Sequence, residues 1–279
     1  YWMIDPRMNE PSLETSLPAW QVEQTRLSPG AAGTVINNLC ALGIGQVHCV
    51  SLLGQDGEGA DMLALLSARG VDVSRTVSDT AFHTPFYTKP MFRQPDGTWK
   101  EGSRIDRKNP GATPEHLQEQ VLQGMKALAE AVDAIILLDQ LTEENKGVVT
   151  AAVRDAAAAL ARAHPELILF ADSRAFLNRF KDISIKCNDS EAAALTGGIV
   201  SESFDREAVF ASLQTLQQRT DRPVFVTCNR HGIAAMDNGT PHLLPAVKQT
   251  GPLDVVGAGD ASTAGMVSAL CAGASPAEA

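Results

Sequence analysis

The chain has 279 residues, enough for one large α/β domain or two small ones, and its 44% apolar content allows a sizeable core. Lys and Arg number 23 against 33 Asp and Glu, a net charge of −10, which makes the chain a poor candidate for binding nucleic acid or an anionic membrane through bulk charge. No apolar run reaches the ~18 residues that span a bilayer. The five cysteines form no CxxC pair and stand near no His cluster, which argues against a disulfide framework or structural zinc and for reduced thiols in the cytoplasm.

Residues 1–28 are polar and carry prolines. They read as a first β piece, and the opening "YWMIDPRMNEP" resembles neither a signal peptide nor an initiation sequence. "AAGTVINNLCALG" (31–43) predicts a helix ended by Gly43. "QVHCVSLLG" (46–54) predicts a strand, and "GEGADMLALLSARG" (57–70) a helix ended by Gly70. Residues 82–106 predict two strands around the turn Pro95-Asp96-Gly97. Both this segment and residues 1–28 are expected to be antiparallel interruptions of an α/β core, joined as one small β subdomain.

Thr113 is expected to cap a helix with Pro114 in its first turn, and Leu117, Val121, Leu122, Met125, Leu128 and Val132 mark its apolar face. "DAIILLD" (133–139) predicts a buried strand, "KGVVTAAVRDAAAALARA" (146–163) an Ala-rich helix, and "ELILFAD" (166–172) and "PVFVTCN" (223–229) further strands. Strands alternating with helices imply a mostly parallel sheet covered on both faces.

In such sheets ligands bind beyond the carboxyl ends of the strands. Asp139, Asp172, Asn188 and Thr227 to Asn229 stand at those ends. Each has a plainer explanation as a helix cap, Asp139 above all. The most informative stretch is "DVVGAGDASTAG" (254–265). Gly257, Ala258 and Gly259 let the backbone turn tightly into a helix whose free N–H groups and dipole attract an anion. An acid there is electrostatically comfortable and ionised, and beside a transferring phosphoryl group Asp260 can take a proton from an attacking hydroxyl. The competing reading makes Asp260 a simple N-cap. No GxxxxGK(S/T) motif occurs, so a phosphotransferase here is not of the P-loop kind.

"DVVGAGDASTAGMV" resembles the C-terminal signature of the PfkB (ribokinase-like) carbohydrate kinases, D-(T/V)-x-(G/A)-A-G-D. In the family's order, "PGAAGTVINNLCALG" resembles its glycine motif, "VSLLGQDGEGADMLALLSARGVDV" its "VG-D-xG" segment, "ADSRAF" its D-x-(K/R) strand end, "NDSEAAALTG" its N-x-x-E motif and "VTCNRHG" its T-x-G-x-x-G turn. The opening layout looks most like that of the heptose-7-phosphate kinases.

The resemblance implies a ribokinase-like three-layer α/β sandwich with a mostly parallel central sheet. Residues 29–81 and 107–279 would form the kinase domain, and 1–28 and 82–106 a β lid that closes on substrate and makes a homodimer contact. It implies ATP and Mg2+, Asp260 as catalytic base, and Gly257, Ala258 and Gly259 as the anion hole. Asn188 and Glu191 would organise Mg2+ and phosphates through water, and Thr227, Asn229 and Gly232 would line the nucleotide. Gly30, Ala31 and Thr34 would lie under the sugar, and Asp254 near a monovalent cation such as K+. It also implies a first strand before Tyr1 and further elements after Ala279.

Ala31 and Thr34 depart from the family's G-G-x-x-x-N, which leaves sugar identity open. Asn229 replaces a glycine, in a residue type that tolerates left-handed backbone. Two other functions stay open: a kinase of a nucleoside or other non-sugar alcohol, and a catalytically weak regulator that binds nucleotide or sugar phosphate. The six histidines read as structural or surface residues. Lys89, Arg93 and Arg104 read as a solvated hairpin face rather than a phosphate grip, and Trp2, Trp20 and Trp99 as an interface.

Overall fold

The computed structural model describes residues 1–201, 203–248, 250–251 and 256–279. Asp254, the expected cation residue, lies outside them. The chain opens in short strands, β1 (Trp2–Ile4), β2 (Glu10–Pro11), β3 (Pro18–Ala19) and β4 (Val22–Thr25), and enters α1 (Gly30–Ala41). There follow β5 (His48–Gly54), α2 (Gly57–Ser67) and β6 (Asp72–Asp79). A second group of short strands comes next: β7 (Phe86–Thr88), β8 (Pro90–Arg93), β9 (Trp99–Glu101) and β10 (Ile105–Arg107). The rest is α3 (Glu115–Leu128), β11 (Ala134–Asp139), α4 (Ala151–Ala163), β12 (Ile168–Ser173), β13 (Ser184–Asn188), α5 (Asp189–Thr196), α6 (Arg206–Thr220), β14 (Val224–Thr227), β15 (Ile233–Asp237), β16 (Thr240–Leu244) and α7 (Ala258–Cys271).

The main sheet has six strands in the order β11-β12-β13-β14-β15-β16. β11 to β14 run parallel, and β15 and β16 extend it as an antiparallel hairpin. Side chains alternate between its faces. Leu169, Ala171, Ile185, Val224 and Val226 face the apolar stripes of α3, α4 and α6, where Leu117, Val121, Val153, Ala157 and Leu213 are buried. Phe170 and Phe225 face the other way, onto Met266 and Val267 of α7. Ala157, Ala158 and Ala161 present almost no side-chain bulk, so α4 can lie close to the sheet. Truncating Phe170 to Ala would empty the opposite face at a cost of about 3–5 kcal/mol. β5 and β6 form a separate parallel pair. The α/β class and the largely parallel sheet between helical layers agree with the sequence. No helix among the described residues is long and apolar enough to cross a membrane.

A small sheet, β4-β1-β8-β9, draws its strands from both ends of the first hundred residues. Its pieces are antiparallel within themselves, but β1 joins β8 in parallel, contrary to the expectation of an all-antiparallel arrangement. The turn between β8 and β9 falls where the sequence put it: the Gln94 N–H donates to the Thr98 carbonyl (2.8 Å) and Gly97 takes φ +84°.

Three local expectations need correction. Thr113 is not a cap. Its hydroxyl donates to the Gly147 carbonyl (2.7 Å), and α3 starts at Glu115 behind Pro114. The Ala-rich helix starts at Ala151 rather than Lys146, because Thr150 accepts the Val153 N–H and sets the boundary while Val148 and Val149 pack on the core. The β15–β16 hairpin is an addition that the sequence reading left out.

Candidate active site

The carboxyl ends of β12 and β13 bring Asp172 and Lys186 together. Alternation places both on the face that carries Phe170 and Phe225, the face covered by α7. Lys186 Nζ donates to Asp172 Oδ2 at 2.8 Å, and the Thr263 hydroxyl of α7 reaches the same oxygen at 3.5 Å. Only 9% of the Lys186 side chain is exposed. A lysine that buried must be paired, and Asp172 is its partner.

α7 starts with Gly257, its N-cap, at φ +81°, a backbone that only glycine adopts cheaply. Among the described residues no side chain caps the helix. The N–H groups of its first turn therefore lack intrahelical partners. A Cβ added at Gly259 would lie 3.3 Å from Lys186 Nζ, and one added at Gly257 would lie 3.3 Å from the Thr34 methyl. The ammonium thus sits against the positive end of a helix, an arrangement that repels a cation but suits a shared anion. The second distance brings the start of α1 to the same place.

Asp260 is the third residue of α7, so it is not the N-cap. Its surroundings favour the charged form less than the helix end alone implies. Burial and then the Asp172 charge push its pKa above the ordinary carboxylate value, and Lys186 opposes them. Thr34 turns its hydroxyl back to the Gly30 carbonyl (2.8 Å), which uses its proton within α1. Gly30 opens that helix at φ +68°, and Ala31 is half-buried.

Asn188 and Glu191 form a reciprocal capping box on α5. Asn188 Oδ1 accepts the Glu191 N–H (2.8 Å), and Glu191 Oε2 accepts the Asn188 N–H (2.9 Å). Helix capping alone accounts for the N-x-x-E spacing. The donor set, a carboxylate with one oxygen outside these hydrogen bonds beside an amide, fits Mg2+ held chiefly by phosphates and water. Among the described residues no cluster of three or more His, Cys, Asp or Glu could form a closed metal cage.

At the end of β14, the Thr227 hydroxyl donates to the Cys187 carbonyl (3.3 Å). Asn229 takes the left-handed φ of +49°, and Gly232 closes the turn by accepting the Cys228 N–H (2.7 Å). His231 stacks on Phe204 with ring centroids 4.1 Å apart.

Asp139 is not a helix cap. It is buried among Ser173, whose hydroxyl donates to it (3.0 Å), and Arg154 (3.8 Å), and burial pushes its pKa up to about 6. Three hairpin cations are partnered: Lys89 with Glu101 (2.9 Å), Arg93 with Asp5 (3.6 Å) and Arg104 with Asp106 (2.7 Å). Trp20 meets Phe92 edge-on, and Trp2 and Trp20 stay partly exposed.

Sequence reasoning missed Lys186 as a site residue. The signal was present: the single charged residue of the strand "ISIKC" has to be buried against an acid.

The whole chain, residues 1–279, matches the pfkB family carbohydrate kinases. Bifunctional protein HldE of Caulobacter vibrioides is 29% identical over 271 residues, 96% of this chain and 53% of that protein. The Helicobacter hepaticus protein of the same name is 25% identical over 252 residues, 90% and 49% respectively. The chain therefore spans about half the length of the curated relatives it matches. A phosphofructokinase-like structure from Staphylococcus aureus superposes with a TM-score of 0.72 at 18% identity, covering 97% of this chain and 81% of that one. Phosphofructokinase-2 from Escherichia coli in complex with fructose-6-phosphate gives 0.64 at 17% identity, with coverages of 98% and 84%. These likenesses carry the fold.

Fold and family match together define the class as carbohydrate kinase. The chain belongs to the pfkB family.

Proposed function

We propose that the protein transfers the γ-phosphoryl group of ATP to a hydroxyl of a sugar phosphate, with a heptose 7-phosphate as the first acceptor to try. The observation that carries this reading is the meeting of Asp260, Lys186 and the uncapped first turn of α7 at the strand ends. The similarity to proteins named HldE and the opening layout of the chain support the acceptor class.

Asp260 takes the proton of the acceptor hydroxyl as it attacks. A carboxylate whose pKa lies above its ordinary value is a stronger base than a free one. The N–H groups of Gly257, Ala258 and Gly259 and the Lys186 ammonium donate to the oxygens of the group in flight, in a site that needs no reorganisation. Asn188 and Glu191 would hold Mg2+, which supplies charge neutralisation on the phosphates when bound. Thr227, Asn229 and Gly232 line the nucleotide side, Gly30, Ala31 and Thr34 the sugar side, and Asp254 a K+ site.

The small sheet acts as the lid. β4 runs within five residues of Gly30, so the sheet is tethered at the sugar side. Closure excludes water as a competing acceptor. The exposed Trp2 of this sheet, Trp20 just before β4 and Tyr87 of the adjoining β7–β10 pair suit a homodimer contact.

The test is ADP formation with ATP, Mg2+ and K+ across heptose 7-phosphate, fructose 6-phosphate, ribose and a nucleoside. Acceptor-dependent turnover that falls about 10²–10⁴-fold in Asp260→Asn is the expected result. Turnover confined to the nucleoside would move the substrate class. ATP binding without turnover on any acceptor would sink the reading in favour of a regulator.

A further inference from the structure

The segment Gly54-Gln55-Asp56-Gly57-Glu58-Gly59 has no part in the chemistry above, yet it anchors a continuous polar network. The chain leaves the α/β body after β6, builds β7 to β10, and returns after Arg107. The two crossings are tied to each other: the His83 N–H donates to Asn109 Oδ1 (2.9 Å), and Asn109 Nδ2 donates to the His83 carbonyl (3.0 Å). Both are then tied to Asp56. One carboxylate oxygen caps α2 by accepting the Gly59 N–H (2.9 Å). The other accepts the Thr84 N–H of the outgoing strand (3.1 Å) and the Arg107 Nη2 of the returning one. Arg107 also donates through Nε to the Thr84 carbonyl (3.3 Å), lies 3.4 Å from Glu58 Oε2 and stacks over Phe86 at 5.0 Å.

The glycines admit this crossing. A Cβ at Gly54 would lie 2.7 Å from the Phe82 carbonyl oxygen, and one at Gly59 would lie 3.0 Å from Thr84 Oγ1. The Thr84 hydroxyl in turn accepts the Gly54 N–H (2.8 Å). Burial pushes the Asp56 carboxyl up, but the Thr84 and Gly59 hydrogen bonds and the Arg107 charge outweigh it and hold it below its ordinary value. The small sheet therefore has two attachments to the body. One is the run from β4 into Gly30; the other is this root.

We propose that Asp56 and Arg107 are a positioning pair: they lock the root of the small sheet and thereby set how it covers the sugar side of the site. The kinetic part of this inference rests on the kinase reading; the locking of the root does not. A guanidinium fork fits the task because it bonds the carboxylate and the Thr84 carbonyl together, which an ammonium cannot match in geometry.

The experiment compares wild type with Arg107→Gln, Arg107→Lys and Asp56→Asn. Asn at position 56 keeps an acceptor for the Gly59 N–H, so α2 stays capped while the ion pair goes. Hydrogen exchange is followed separately in residues 86–107 and in β11 to β14, with ADP formation measured on fructose 6-phosphate, on heptose 7-phosphate and with ATP alone. In Arg107→Gln and Asp56→Asn, exchange in 86–107 should rise about tenfold with β11 to β14 unchanged, and acceptor KM should rise while kcat falls. ADP formed with ATP alone should grow relative to acceptor-dependent ADP, and Arg107→Lys should lie between wild type and Arg107→Gln. Unchanged exchange in 86–107, or exchange rising equally throughout the chain, would overturn the proposal. So would loosened strands with kcat and KM intact. If wild type transfers to no acceptor, the kinase reading fails, and the exchange comparison alone decides whether the root is locked.

Discussion

α5 and α7 both start at the carboxyl edge of the main sheet, and they start in opposite ways. α5 is closed by its own side chains, Asn188 and Glu191 satisfying two backbone N–H groups between them. Among the described residues no side chain caps α7, which begins on a left-handed glycine and carries its first-turn acid within the field of Asp172 and Lys186. A helix end that satisfies itself contributes stability where it stands. One that leaves its donors open forgoes about 1 kcal/mol of capping and keeps a place for an anion. The contrast sets a self-satisfied helix end beside an open one within a single sheet edge.

The comparison can be broken hardest at α7. Lys186→Gln removes the ammonium beside Gly259 and should lower kcat by about 10²–10³-fold in steady-state assays, the cost of losing one oriented donor. It should also raise the acid limb of the pH profile, because Lys186 opposes the upward push on Asp260. Next comes Glu191→Gln. A glutamine can complete the same capping box, so melting should match wild type while the Mg2+ concentration for half-maximal activity rises about tenfold. Equal activity at all Mg2+ concentrations would leave α5 a purely structural cap. Gly257→Ala forces a side chain into φ +81° and should cost about 1–2 kcal/mol in urea unfolding.

The smallest effect concerns Asp139, on the sheet face away from α7. Its folded pKa of about 6 exceeds that of an unfolded carboxyl. The folded state therefore holds the proton longer, and this group's contribution weakens as pH rises from about 4 to 6. The melting temperature of Asp139→Asn should lack that component of the slope. Parallel slopes in variant and wild type would contradict it.

Much of this was legible in the sequence. Gly43 and Gly70 take positive φ where they end helices, and Pro95-Asp96-Gly97 turns the hairpin. The Gly-rich start of α7 also reads directly, because each of these signals is local. What stayed hidden depends on distant partners. Thr113 is drawn off its cap by the Gly147 carbonyl, and β1 finds β8 across almost ninety residues. The role of Lys186 needs Asp172 on the neighbouring strand. The β15–β16 hairpin is a different case, since Asn238 and Gly239, both at positive φ, are a strong two-residue turn signal that went unread.

The most direct test is the pH dependence of kcat/KM for wild type and Asp172→Asn on whichever acceptor turns over. Asn keeps an oxygen for Lys186 and Thr263 and removes the charge that raises the Asp260 pKa. The expected wild-type profile has an acid limb above the ordinary carboxylate value, and that limb moves to lower pH in the variant. A limb that stays in place would mean that Asp260 is not the base whose ionisation governs the reaction.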